Sequence, residues 1–450
     1  MNTSVISRGA FGRCLSRATL ILAALTAPTV MARDASDASP DARQNAVVHW
    51  NAIADQAFAP SQGTNPMAQS RTLAILHASI HDALNAIDHR YTPYTPGLPA
   101  APTASVDAAV AAAAHEVLVN LLPEQNALVE AEYGQALATI SDGAAKNAGI
   151  AVGRAAAQAT IRRRKGDGAD TAAQPPYVPG SAPGEYQFTA PFDFSAQPGW
   201  GRVQPFVIDL RGHTTEGPLP LTSAQYAQEL AYVREIGHIA SKTRTPEQSQ
   251  IAKFWYEDSP LGWNRIANAV VRQRGLDPWD AARTFALVNF AMADGFIAGF
   301  DAKYEHRFWR PVTAIHAAAS DGNPRTLADP SWQPLMTTPP VPDYPSTHTV
   351  LGWAAAEVLI DLFGDKVRYA MTSPTLPGVT RQYRGFSQAA QENGMSRLYA
   401  GIHFPRAVKH GRRQGRSVGQ AVTQALAPAR SVDVAAHNQE RRAREDQRNR

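Results

Sequence analysis

The 450-residue sequence holds a single cysteine, Cys14. That residue precedes an apolar run from Ala18 to Ala27, as do Arg8, Arg13 and Arg17, and Val30-Met31-Ala32 offers small or apolar residues where a signal peptidase cuts. A secretory signal over residues 1–32 is expected, and the thiol leaves with it. The remaining chain then excludes disulfides, thiolate-bound zinc and iron–sulfur clusters, and its stability must come from core packing. An excess of one charge is lacking too: 43 basic residues stand against 39 acidic ones, a formal net charge of +4. Removing the leader takes three Arg and no acid, which lowers that charge to +1. So even a balance argues against a nucleic-acid surface. No later apolar run reaches the roughly 18 residues of a membrane span. The expectation is a soluble product with no membrane span and no nucleic-acid partner, secreted or periplasmic.

What is present in quantity is apolar helix-forming sequence. Hydrophobic residues make up 44% of the chain, enough for a large core. Helical patterns rich in Ala run over about 46–57, 68–88, 105–122, 124–140 and 144–164, separated by short turns. From Gln174 to Pro220 the pattern changes: nine prolines interleave with Tyr186, Phe188, Phe192, Phe194 and Trp200, too many aromatics for a solvated linker. Helical periodicity then resumes. Thr245-Pro246-Glu247-Gln248 reads as a capping box with Pro at the first helical position, and Asp277-Pro278 opens a helix that reaches about Tyr304. Further helices are expected over 346–363, 387–399 and 407–426. Strand patterns are scarce. The fold class is all-α: an N-terminal helical bundle (33–173), a Pro-rich connector (174–220), a second helical bundle (221–430) and a charged tail (431–450).

Three segments of the second bundle carry chemistry. Lys303 and Arg310 lie seven residues apart just before Pro311. On a continuing helix that spacing puts two cations on one face, and two cations aimed at one spot favour an anion. Pro342-Asp343-Tyr344-Pro345-Ser346-Thr347-His348 leads into a helix with Ser346 at its N-cap, where free backbone N–H groups and the positive end of the dipole form an anion site beside His348. Ser396-Arg397 through Gly401-Ile402-His403 and Pro405 contains a helix break, so Arg397 ends one helix while His403 begins the turn into the next. Singly, each reads as an ordinary basic turn or helix start. Together they are hard to obtain by chance.

In that order, K-x6-R-P, P-S-x-H and S-R-x5-H resemble the signature of the vanadium-dependent haloperoxidases and the type 2 phosphatidic acid phosphatase superfamily. The flanks Phe308-Trp309-Arg310-Pro311 and Tyr399-Ala400-Gly401-Ile402-His403-Phe404-Pro405 look like the secreted bacterial haloperoxidase-like proteins. The resemblance implies two helical bundles of the vanadium chloroperoxidase type. It also implies a vanadate cofactor whose oxygens are neutralised by Lys303, Arg310 and Arg397 and hydrogen-bonded by Ser346 and the Thr347 backbone. His403 then bonds the metal, and His348 is the acid–base group. Lys303 polarises bound peroxide, so that halide is oxidised by hydrogen peroxide to a hypohalous acid equivalent. Phosphate fits the same cradle, which leaves a phosphatase acting on a phosphate ester through a phosphohistidine at His403. A non-catalytic oxyanion-binding protein is the third reading, disfavoured because binding alone needs no pair of histidines.

Two positions depart from the resemblance. Thr347 stands where Gly is usual and brings a β-branched side chain to the anion site. Ala407 stands four residues after His403, where a carboxylate is expected to orient a neighbouring group. The resemblance offers Asp258 as a partner of His348, with a surface acid as the alternative reading, and Val341 lies where family members carry a residue linked to halide choice. His77, His81 and Asp82 sit one turn apart in apolar surroundings and read as core residues rather than a metal site. Arg162-Arg163-Arg164-Lys165 reads as a helix C-terminus complementing its dipole. Ala-rich helices with apolar faces are compatible with a homodimer.

Overall fold

The computed structural model describes residues 45–61 and 65–429. The expected leader (1–32) and charged tail (431–450) lie outside the described residues. Thirteen α-helices and one short antiparallel hairpin make up the regular structure there. Before the connector come α1 (Ala46–Phe58), α2 (Pro66–Ile87), α3 (Val106–Leu121), α4 (Asn126–Ala138) and α5 (Ala144–Arg163). After it come α6 (Ala224–Ile236), α7 (Pro246–Phe254), α8 (Ser259–Arg274), α9 (Pro278–His306), α10 (Pro311–His316), α11 (Thr347–Phe363), α12 (Phe386–Tyr399) and α13 (Pro405–Val422), with the hairpin β1 (Tyr369–Thr372) and β2 (Thr380–Tyr383) between α11 and α12.

The local code is conventional and strong. Six of these helices carry Pro at the first or second position, where its fixed φ suits the helix and its missing N–H is not needed. The Thr245–Gln248 capping box forms in both directions. Asp277 caps α9 by accepting from Asp280 N. Close helix contact in the N-terminal half depends on small residues: a Cβ on Gly153 of α5 would come within 2.3 Å of the Ala109 carbonyl oxygen on α3.

The 29-residue α9 organises the rest. It packs against α1 and α2 from before the connector and against α8, α11 and α13 from after it. The sequence reading found no apolar run of spanning length. By length and composition, however, α9 does pass as long and apolar enough to cross a membrane, and the reason is that 94% of its most apolar window is buried inside the fold. Apolar residues all round mark a helix enclosed by others.

The Pro-rich connector is an ordered strap over α9. Tyr186 and Trp200 are buried, whereas Phe194 is half exposed, so not every aromatic there is core. Tyr186 N donates to the Arg307 carbonyl and Ala196 N to the Pro340 carbonyl. The carboxylate of Asp294, buried in the middle of α9, accepts from three successive strap amides, Phe206 N (2.6 Å), Val207 N (2.8 Å) and Ile208 N (3.1 Å). Arg164, at the end of α5, donates to the Pro205 and Gln204 carbonyls and pairs with Asp167. That basic run is therefore partly built into the strap rather than displayed to solvent.

Removing the Asp294 carboxylate leaves three strap amides without their acceptor. Asp294→Ala is expected to lower unfolding stability by about 3 kcal/mol, read as an earlier urea midpoint with unchanged slope. A loss below about 0.5 kcal/mol would mean that the strap is held by other contacts.

Candidate functional site

Lys303 sits in the last turn of α9, and the helix then ends on Arg307, which takes the left-handed conformation at φ 45°. The helix thus ends close to the expected Tyr304, and the seven-residue spacing is not spanned by one continuing helix. Instead Arg310 lies in an extended link and occupies the N-cap of α10. The two cations nevertheless meet, because the link turns back toward the segment 340–346. Lys303 Nζ donates to the carbonyls of Pro342 (2.5 Å) and Asp343 (3.0 Å). Arg310 Nε donates to the Val341 carbonyl (2.7 Å) and Nη1 to that of Ile402 (2.7 Å). Both side chains are fully buried.

The segment 397–405 supplies the opposite wall. α12 ends at Tyr399, and Gly401 adopts φ 78° with no room for a Cβ, which would lie 2.4 Å from the Gly237 carbonyl oxygen. That break allows Arg397 and His403 to turn to the same place. Arg397 is held by Nη1 on the Trp255 carbonyl (2.9 Å) and lies over the Tyr256 ring, while its Nε is buried without a partner. His403 lies with Nε2 3.1 Å from Arg310 Nη1 and Nδ1 2.8 Å from Asp343 Oδ1.

The third wall is the start of α11. Ser346 is its N-cap, as the sequence suggested, but the Ser346 hydroxyl caps no amide; its Oγ accepts from Thr349 Oγ1 (2.9 Å) instead. The leading N–H groups are left without a side-chain cap. The Thr347 methyl, expected to intrude on the anion site, is accommodated by α9: a Cβ on Gly299 would lie 2.3 Å from Thr347 Cγ2. His348 Nδ1 lies 2.9 Å from Ser259 Oγ at the start of α8, and its Nε2 is buried without a partner. Ser259, next to the candidate Asp258, was not identified from sequence. Nor was a role for Asp343, although it lies in the segment that leads to Ser346, because neither residue is one of the K-x6-R-P, P-S-x-H or S-R-x5-H positions.

Burial and mutual repulsion set the electrostatics. Burial pushes Lys303 well below its ordinary pKa, Arg310 adds to the effect, and Asp343 opposes it. Burial also brings Arg397 down to about 10. His403 is driven well below its usual range by burial first, then by Arg310, Lys303, Arg397 and His348, which places all of these groups within electrostatic reach of one ring. His348 is lowered for the same reasons, burial and then Arg397. Asp343 is pushed up to about 7 by burial, against the pull of Arg310 and Lys303. Three buried cations thus surround two neutral imidazoles, and the carboxylate acting on Lys303 and Arg310 is that of Asp343. This excess of positive charge, two orphaned donor or acceptor nitrogens and an uncapped helix start suit a tetrahedral or trigonal oxyanion. Vanadate fits that donor set.

Other candidates resolve as structure. His77 stacks on Phe285 at 4.9 Å, lies 3.0 Å from Asn51 Oδ1 and is lowered by burial to about 3. His81 lies 3.2 Å from the Thr92 carbonyl oxygen, and Asp82 accepts from Tyr94 N and Thr95 N. Among the described residues no group of three His, Cys, Asp or Glu is arranged to hold a metal ion.

Residues 283–430 match the family of the VCPO second helical-bundle domain. The vanadium chloroperoxidase of Curvularia inaequalis is 26% identical over a match covering 36% of this chain and 37% of that protein. A bacterial vanadium-dependent iodoperoxidase structure superposes with a TM-score of 0.75 at 26% identity, covering 87% of this chain and 98% of that one. An apo-type bacterial vanadium-dependent chloroperoxidase shares the fold at a TM-score of 0.68 and 14% identity, over 80% of this chain and 94% of that one. In sequence and in fold, this chain is similar to the vanadium-dependent haloperoxidases, and residues 283–430 match the VCPO second helical-bundle domain.

Proposed function

We propose that the protein is a vanadium-dependent haloperoxidase that oxidises halide with hydrogen peroxide. The observation that carries this reading is the convergence of Lys303, Arg310 and Arg397, all buried, on the neutral ring of His403. A cluster of desolvated cations is costly unless an anion completes it. Lys303, Arg310 and Arg397 would neutralise the vanadate oxygens, while Ser346 Oγ and the first N–H groups of α11 donate to them. His403, neutral at pH 7, has a lone pair to give to the metal. When bound, vanadate supplies a Lewis-acid centre for peroxide without changing its own oxidation state. His348 also stands neutral with Nε2 free, so it can take a proton from an incoming peroxide; Ser259 on Nδ1 fixes the ring. Lys303 is steered by two carbonyls and supplies a positive charge where negative charge would develop on oxygen as the O–O bond breaks.

One preparation separates the chemistries. Halide oxidation by peroxide is expected after vanadate loading, measured by halogenation of a dye, with little phosphate-ester hydrolysis before loading. Hydrolysis without halide oxidation would replace this reading with a phosphatase.

The two histidines should separate binding from turnover. His403→Ala is expected to abolish both vanadate binding and halide oxidation. His348→Ala should keep vanadate affinity within about tenfold while turnover falls by about 10²- to 10⁴-fold. Equal loss of affinity in both variants would remove the acid–base role from His348.

A further inference from the structure

His403 is held from two sides. Arginine can only donate, and Arg310 Nη1 lies against the ring within reach of both nitrogens, 3.1 Å from Nε2 and 3.4 Å from Nδ1, so it does not by itself choose between them. Asp343 Oδ1, 2.8 Å from Nδ1, does choose: a carboxylate oxygen accepts, so the proton of the neutral ring sits on Nδ1 and Nε2 keeps its lone pair. Asp343 is fully buried. Its own position is fixed by its backbone, whose amide donates to the Phe308 carbonyl and whose carbonyl accepts from Lys303 Nζ. The carboxylate therefore cannot drift without disturbing the lysine.

Ala407 bears on the same place. The resemblance leads one to expect a carboxylate there, and the structure shows a fully buried methyl whose backbone carbonyl accepts from Ser346 N. Asp343 and Ala407 line one small cavity of about 10 Å³, with Phe308, Phe404 and Glu229 among its walls. That is room for about one water-sized group. The other carboxylate oxygen of Asp343, Oδ2, is buried without a protein partner. The histidine is thus oriented by direct contact with residue 343, and the small cavity lies between residues 343 and 407.

We infer that Asp343 is the positioning residue of this site, the carboxylate that fixes the tautomer and direction of His403 in place of one at position 407. This inference rests on the proposed oxyanion site. In ligand-binding centres a second partner on the other ring nitrogen fixes the imidazole and raises its basicity, and removing it typically costs 10- to 100-fold in affinity. Because residues 343 and 407 share a cavity, the carboxylate is transferable: Asp343→Ala vacates the volume that Ala407→Asp would fill.

The test uses the full chain with orthovanadate as probe, and the variants Asp343→Ala, Asp343→Asn and Asp343→Ala/Ala407→Asp, each checked for an unchanged circular dichroism spectrum. Binding is titrated by equilibrium dialysis. Separately, the tautomer of His403 is read without vanadate from 15N-labelled histidine, assigned with His403→Ala. Wild type is expected to show protonated Nδ1 and bare Nε2. Asp343→Ala should lose that signature and bind vanadate about 10- to 100-fold more weakly. Asp343→Asn, which keeps an acceptor oxygen, should lose less than tenfold. The double variant should regain both the signature and most of the affinity. An unchanged tautomer and affinity in Asp343→Ala overturns the inference. So does a loss that Asp343→Asn shares in full and Ala407→Asp does not restore, since that is the behaviour of a packing residue. A wild type that shows the expected tautomer but binds no vanadate leaves the orienting contact in place and removes the oxyanion reading instead.

Discussion

Three cationic side chains removed from water are the constraint around which this protein is built. Taking a charge out of water costs several kcal/mol even after relaxation, and neighbouring like charges add to that cost. The fold answers first with backbone oxygen. The carbonyls of Val341, Pro342 and Asp343 accept from Arg310 and Lys303, that of Ile402 from Arg310, and that of Trp255 from Arg397. These dipoles orient the cations without neutralising them. The residual positive charge is the property on which the proposed oxyanion site rests.

Everything else in the architecture serves to bring those carbonyls and cations together. α9 delivers Lys303 and receives α11 through Gly299 and Thr347. The strap, anchored on Asp294, carries Ala196 to the Pro340 carbonyl and so braces the segment that supplies most of the acceptors. The bare backbones of Gly237 and Gly401 meet where no Cβ would fit, which sets the turn between Arg397 and His403. A preorganised site depends on such supports, because a displacement of about 1 Å in a reacting group can cost about 100-fold in rate.

The same electrostatic setting gives the two histidines their difference. Both are neutral because burial and the cations oppose protonation. His403 is clamped between a guanidinium and a carboxylate, which leaves it one direction to face. His348 has a hydroxyl on one nitrogen and nothing on the other. A fixed ring suits ligation and an open nitrogen suits proton transfer.

Much of this was legible in the chain. Helix positions followed from apolar periodicity, N-terminal prolines and the Thr245–Gln248 capping box, because those signals act within a few residues. The order and spacing of Lys303, Arg310, Ser346, His348, Arg397 and His403 marked a shared site even though segments about a hundred residues apart contribute to it. Tertiary structure alone decided the rest. The link after Arg307 turns back to bring Arg310 beside Lys303, the Thr347 methyl finds its space at Gly299, and Ser259 and Asp343 each take one nitrogen of a histidine. A hydrogen bond across the fold leaves no periodicity in sequence, since a serine or aspartate has the same local propensities whether it faces an imidazole or solvent. Sequence therefore determined which groups are available and where each helix begins. Packing determined which of them touch, because contact depends on distances set by the whole core.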